Sequence, residues 1–155
     1  MALTTLGNTA FGTSSVVSAA IKDNAVIYNK LDANTAHVDR NQSFSVAQRG
    51  SISDQGVKAA GTVTLNLNTA NYYSFTVNGN ITLANPTNTT AGQAGALFMT
   101  ANGSYTTSFG SHWRFPTGTA PTMSTSAGMG DRIDYVVQSA NTIHAIATID
   151  LLGTA

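Results

Sequence analysis

The chain has 155 residues and no net charge, and only 9% of its residues are charged, against about 25% in ordinary globular proteins. Its length predicts one domain, with room for an extension. A neutral chain excludes nucleic acid and an anionic membrane as electrostatic partners. The lack of cysteine excludes disulfides and thiolate metal sites. No apolar run approaches the roughly 20 residues of a membrane helix.

The charged residues are unevenly distributed. Most of them lie between Lys22 and Lys58, whereas residues 59–113 contain no Asp, Glu, Lys or Arg. A solvated monomer normally carries interspersed charges, and a neutral, charge-poor surface promotes association. We therefore expect copies of the chain, or a larger assembly, to cover much of this surface. That expectation favours a structural or binding protein over an enzyme.

A change of composition near Gly50 divides the chain into an extended N-terminal anchoring arm, residues 1–50, and a β-domain, residues 51–155. No basic region followed by an apolar run opens the arm, so no secretory signal is predicted. Its apolar residues form small clusters without a sustained helical stripe, although a short helix over residues 14–21 remains an alternative. Such a segment cannot bury its apolar side chains alone. The arm is expected to bind a capsid or other partner through Val16, Val17, Ile21, Val26, Ile27 and Leu31.

The β-domain alternates apolar and polar residues in short segments separated by turn residues, a pattern typical of strands. Asn78-Gly79 and Asn102-Gly103 predict tight hairpins, because a type I′ turn needs positive φ at both central residues. Gly95–Thr100 is mostly apolar and predicts a strand covered on both faces. The spacing predicts an all-β sandwich of jelly-roll type. Its strands are expected around residues 63–67, 73–77, 81–83, 95–100 and 105–109, with a final pair at 133–138 and 143–151 joined across Ser139-Ala140-Asn141.

The sequence offers little chemistry. Its three histidines share no metal-ligand spacing, and no nucleotide-binding glycine motif occurs. Asp131 and Asp134 lie three residues apart on a predicted strand, which directs them to opposite faces. Asp131 is expected to close a turn with Arg132 as its partner. No catalytic residue, cofactor or metal site is predicted.

One aromatic cluster, Phe109–Pro116, stands above this background. Together with Tyr105, its Trp113 and Phe115 are candidates for exposed aromatics at a tip or a subunit interface, where they would contact a partner or a sugar ring. The alternative is that Trp113 and Phe115 fill one end of the core. We leave core, interface and ligand contact open at this point.

Several segments resemble a known family. The order Q-x-F-x-x-A-Q-R-G at Gln42–Gly50 resembles a segment that precedes the C-terminal β-domain of many tailed-bacteriophage virion proteins, often tail fibres. The likeness covers about residues 42–150, and part of the arm is similar to short repeats of trimeric phage fibres. It implies a structural role in the virion, usually as a homotrimer, without catalytic residues. The further matching segments are Asn80–Asn88, Ala91–Gly95, Phe109–Phe115 and Gly118–Thr122.

Typical tail fibres carry a long shaft, whereas at most 50 residues precede the β-domain here. A short arm with one β-domain suits a capsid cement or head-decoration protein on the particle surface, assembled in the host cytoplasm. The expected partners are sister subunits in a homotrimer and the major capsid protein or another virion protein. The alternative is a short tail fibre or adaptor whose knob binds a host-surface glycan.

Overall fold

The computed structural model describes residues 47 and 49–152. This part of the chain forms nine strands and one short 3-10 turn, and the all-β prediction is confirmed. The predicted arm lies almost wholly outside the described residues. So do Val16, Val17, Ile21, Val26, Ile27 and Leu31, whose role stays a prediction. The strands are β1 (Ile52–Lys58), β2 (Gly61–Val63), β3 (Tyr72–Val77), β4 (Ile81–Leu83), β5 (Ala94–Ala101), β6 (Thr107–Phe109), β7 (Trp113–Arg114), β8 (Gly130–Ser139) and β9 (Thr142–Leu151), with the 3-10 turn at Pro116–Gly118.

These strands form two sheets. One has six strands in the order β1-β3-β5-β8-β9-β7, and the other has three in the order β2-β4-β6. Strands β1, β3 and β5 are parallel in the first sheet, and β2, β4 and β6 are parallel in the second. The chain therefore alternates between the sheets and winds through three stacked rungs, β1–β2, β3–β4 and β5–β6. This is the winding of a β-solenoid, in which each repeat contacts its neighbours.

A hairpin extends the six-stranded sheet beyond the third rung. Strands β8 and β9 are antiparallel, with Ser139 opposite Thr142 at the turn, which confirms the predicted final pair and its connection. Strand β8 also pairs with β5 in antiparallel fashion. The short strand β7 adds to β9 in parallel through Trp113 and Arg114.

The core lies between the two sheets. Tyr73, Phe75 and Val77 of β3 are buried, and their neighbours are partly exposed. The register places Tyr73 beside Leu97 and Phe75 beside Met99. Burying such a side chain stabilises the fold by about 1.5–3 kcal/mol. The predicted alternation is also confirmed in the segments that follow β1 and β3. The buried residues are Val63, Leu65 and Leu67 in the first segment and Ile81 and Leu83 in the second.

The two Asn-Gly dipeptides do not form the predicted hairpins. Strands β3 and β4 lie in different sheets, as do β5 and β6, so each dipeptide turns the chain from one sheet to the other. Neither Asn78 nor Gly79 has a positive φ. Glycine is required at position 79 for space, because a Cβ there would lie 2.2 Å from the backbone nitrogen of Ala60 in the rung below. Stacking continues between side chains, where Asn102 Nδ2 donates to Asn78 Oδ1 at 3.0 Å.

The predicted jelly roll does not describe this connectivity. A jelly roll pairs its strands antiparallel, whereas successive rungs here pair in parallel. Parallel neighbours need a crossover connection, and the strands of the small sheet provide it. The physical reason for the difference is that each corner sends the chain across the core instead of back along the same sheet.

Candidate functional site

The six-stranded sheet has an inner face on the core and an outer face turned away from the small sheet. Large apolar side chains are exposed on the outer face of the single chain: Phe98 is 38% exposed, Val136 50% and Ile146 62%. The prediction that β5 is covered on both faces is therefore wrong for the single chain. The inner side chain Leu97 is fully buried, while its neighbour Phe98 points outward.

The register aligns the outer side chains in rows across the sheet. In one row, Ile52 lies opposite Tyr72, Tyr72 opposite Ala96, Ala96 opposite Asp134, and Asp134 opposite Ile146. Side chains directly opposite one another on neighbouring strands are about 5 Å apart and interact. The exposed apolar residues thus lie on one face of the sheet, where polar and charged side chains such as Asp134 stand between them.

A trough with a volume of about 690 Å³ crosses this outer face. Small residues of β5, Ala94–Ala96, form its floor, and Tyr72 stands on one side. The opposite side is formed by Arg114–Pro116. The volume falls within the range of about 300–1,000 Å³ that is usual for small-molecule sites. Strands β8 and β9 complete the lining with Asp134, Tyr135, Val136, His144, Ala145 and Ile146.

The charges on the outer face are few, and two of them form an ion pair. Arg132 Nε lies 2.9 Å from Asp134 Oδ2, and both side chains are about half exposed. The predicted partnership of Arg132 with Asp131 is therefore wrong, because Arg132 faces outward and Asp131 inward. Arg114 stands beside His144 across β7 and β9, and within residues 49–152 no ion pair involves Arg114. His144 is exposed between the buried Ile143 and Ala145.

Tyr135 lies directly beneath the trough. Its hydroxyl donates to the Asn71 carbonyl oxygen at 2.9 Å. Burial raises the pKa of Tyr135 far above its ordinary value, with smaller contributions from Tyr73 and Tyr72. Gly95 makes room for this contact, since a Cβ at that position would lie 1.8 Å from the Asn71 oxygen and 2.7 Å from the Tyr135 hydroxyl. Tyr135 therefore stays protonated and holds β8 to the segment before β3.

The structure resolves the alternatives for the aromatic cluster. Trp113 is buried, packs edge-to-face on Tyr135 with ring centroids 6.1 Å apart, and donates from Nε1 to the Ala84 carbonyl oxygen. Phe115 is mostly buried and contributes to the lining of the trough. Tyr105 is partly buried against the core. The prediction of tip or interface aromatics is thus wrong for Trp113, because this ring fills the core.

Asp131 and Asp134 lie on opposite faces of β8, as the spacing predicted. Asp131 is buried and accepts hydrogen bonds from the backbone nitrogen and the hydroxyl of Ser124. It also accepts one from the backbone nitrogen of Asp150 at 3.2 Å. This buried carboxylate fixes the loop after the 3-10 turn to the end of β9.

In the described part of the chain, no three His, Asp or Glu side chains come together as metal ligands would. No helix among these residues has the length and apolar content needed to span a bilayer. Comparison with protein-family models, curated proteins and solved structures finds no match to this chain.

Apolar side chains on both faces of a strand were predicted only for residues 95–100, and the exposed apolar face of β8 and β9 was not predicted. A signal was present in β8 and β9, where Val136 follows the buried Tyr135 and Ile146 follows the buried Ala145. Successive side chains of a strand point to opposite faces of the sheet, so two consecutive apolar residues place one apolar side chain on each face. Which face was the core still required the tertiary structure.

Proposed function

We propose that this chain is a structural protein of a tailed-phage virion, a capsid cement or head-decoration protein. It docks on the major capsid protein through its N-terminal arm and projects a trimeric β-domain from the particle surface. The class of protein comes from the resemblance of residues 42–150 to phage virion proteins. No catalytic step is included in this function.

The observation that carries the proposal is the apolar outer face. A single chain that exposes Phe98, Val136 and Ile146 on one face of a sheet is suited to association, because large apolar side chains that are gathered on one surface favour contact with a partner. The charge-free sequence of residues 59–113 supports the same conclusion, since few charges oppose association. Both features suit a protein that works inside an assembly.

Deletion of residues 2–40 tests the arm. We expect the truncated chain to keep the circular dichroism spectrum of a β-domain and to lose co-sedimentation with purified capsids. Within the full-length chain, Ile27→Asp should weaken capsid binding, because it places a charge among apolar side chains that are expected to be buried. Asn24→Asp adds the same charge at a polar position of the arm and should bind normally. A truncated chain that still decorates capsids would refute docking by the arm.

The trough favours a second candidate, a short tail fibre or adaptor that binds a host-surface glycan. Tyr72 offers a ring face, and Arg114 and His144 offer hydrogen-bond donors at the other end of the trough. This candidate predicts that Tyr72→Ala reduces adsorption to host cells. Antibody labelling of virions separates the two candidates, because a decoration protein is labelled over the head and a fibre at the tail.

A further inference from the structure

We infer that the outer face of the six-stranded sheet is the contact surface between copies of this chain, so that the β-domains associate with these faces turned toward one another around the axis of the trimer. The inference rests on the self-association included in the proposed function and names the surface that performs it. Four features of the described residues support it: the apolar character of the face, its charge balance, its edges and its size.

The charge balance of the face fits a second copy of the same chain. Asp134 is already paired with Arg132 at 2.9 Å. Asp54, at the β1 end, accepts hydrogen bonds from the Gly56 backbone nitrogen and the Ser74 hydroxyl. Arg114 at the β7 end has no ion pair within residues 49–152 and lies at the opposite edge of the sheet from Asp54. A contact between the β1 end of one copy and the β7 end of the next therefore brings opposite charges together. A strongly acidic or basic partner finds no matching patch on this face.

The β1 edge of the sheet is unsuited to pairing with another strand, whereas β7 covers only Ile143 and His144 of β9 at the other edge. Strand β1 is interrupted by a register shift between Asp54 and Val57, with Gly56 at a φ of 66°. Its inward side carries Lys58 at the level of the buried Val77. At the other edge, β7 has only two residues. Bulges, inward-pointing charges and very short edge strands are the usual means of preventing edge-to-edge association.

The size and relief of the face suit packing between sheets. Six strands about 4.8 Å apart, with about seven residues each, give a flat backbone sheet of roughly 550 Å². The side chains that project from it add to this area. That approaches the area of about 800 Å² per partner in standard interfaces. Packed sheets interdigitate their side chains. Here Phe98 and Ile146 project from the face, and the small residues of the trough floor provide a recess.

Charged substitutions in the full-length chain test this surface. Val136→Asp and Ile146→Asp should each weaken self-association at least tenfold in sedimentation equilibrium, because each replaces an apolar contact with a carboxylate that loses its hydration in the interface. Val136→Thr keeps the branched shape and should have a smaller effect. The control Thr82→Asp adds the same charge to the exposed side of β4 in the small sheet and should leave association unchanged.

A thiol-protection experiment covers the case in which the charged variants fail to fold. The natural chain has no cysteine, so Val136→Cys and Thr82→Cys each introduce a single reactive thiol. We expect maleimide to modify Val136→Cys slowly at high protein concentration and quickly after dilution. Thr82→Cys should react quickly in both conditions.

The outcomes separate this inference from the proposed function. If the wild type is oligomeric but Val136→Asp associates equally well, or if both thiols react alike, the outer face is the wrong surface and self-association stands. A wild type that stays monomeric, including one that binds a host glycan through Tyr72, overturns the inference and the trimer together. Loss of capsid binding alone would refute the virion role and leave the outer-face contact standing.

Discussion

The two faces of the six-stranded sheet use similar side chains and differ in what covers them. On β5, Leu97 is fully buried and Phe98 is 38% exposed. On β8, Ile133 is fully buried while Val136 is half exposed. The inner residues stabilise the single chain because they leave water when it folds. The outer residues remain in water, so their burial energy is available for association.

Charged and polar groups show the same contrast. The inward-facing Asp131 is buried and satisfied by Ser124 and Asp150, whereas the outward-facing Asp134 pairs with Arg132 in solvent. Side-chain direction alone separates the two carboxylates, which are three residues apart. Inner-face substitutions should therefore change the free energy of unfolding, and outer-face substitutions should mainly change association.

The largest difference is expected for the neighbours Leu97 and Phe98. Leu97→Ala should lower the free energy of unfolding by about 2–5 kcal/mol, because it leaves a cavity in the core. Phe98→Ala should lower it less, because 38% of Phe98 is already exposed to water in the single chain. Urea unfolding at a concentration where the chain is monomeric measures both. Equal losses would mean that the outer face is as closely packed as the inner one.

A smaller difference is expected for the two carboxylates of β8. Asp131→Asn should cost about 1.5–3 kcal/mol, the usual value for hydrogen bonds to a charged group. Asp134→Asn should cost about 1 kcal/mol or less, because exposed ion pairs contribute little. Thermal unfolding of the two variants at neutral pH provides the measurement. A larger loss for Asp134→Asn would contradict the assignment of the faces.

The smallest effect at neutral pH is expected for Tyr135→Phe, which removes one hydrogen bond worth about 0.5–1.5 kcal/mol. Its clearer signature is at alkaline pH. The pKa of Tyr135 is raised above 10.0 in the folded chain, so above that pH the unfolded chain releases a proton that the folded chain retains. Stability therefore falls as pH rises beyond about 10.

Tyr135→Phe should make this alkaline decline less steep, as measured by urea unfolding between pH 9 and pH 11. Tyr72→Phe, on the outer face, is the matched control, since its hydroxyl makes no hydrogen bond within residues 49–152. An alkaline decline of the same slope in Tyr135→Phe and the wild type would show that another group causes it.

Much of the secondary structure could be predicted because period-two alternation reports burial directly. Tyr73, Phe75 and Val77 were assigned correctly to the inner face, and the β8–β9 hairpin was placed correctly. Pairing between strands that are distant in sequence could not be predicted. The two Asn-Gly dipeptides are separated by the same number of residues as the register partners Tyr72 and Ala96. Their spacing therefore equals the length of the repeat between the second and third rungs. A local Asn-Gly signal is compatible with a hairpin and with a corner.

The sequence by itself determined that this is an all-β chain with little charge and little chemistry, because composition and alternation are local properties. Only the tertiary structure decided that the rungs stack in parallel, that Trp113 fills the core, and that Val136 and Ile146 share an exposed face. Those facts depend on which distant segments pair, and pairing is set by the packing of the whole core. The outer face exists because β3, β5, β8 and β9 all turn their other side to that core.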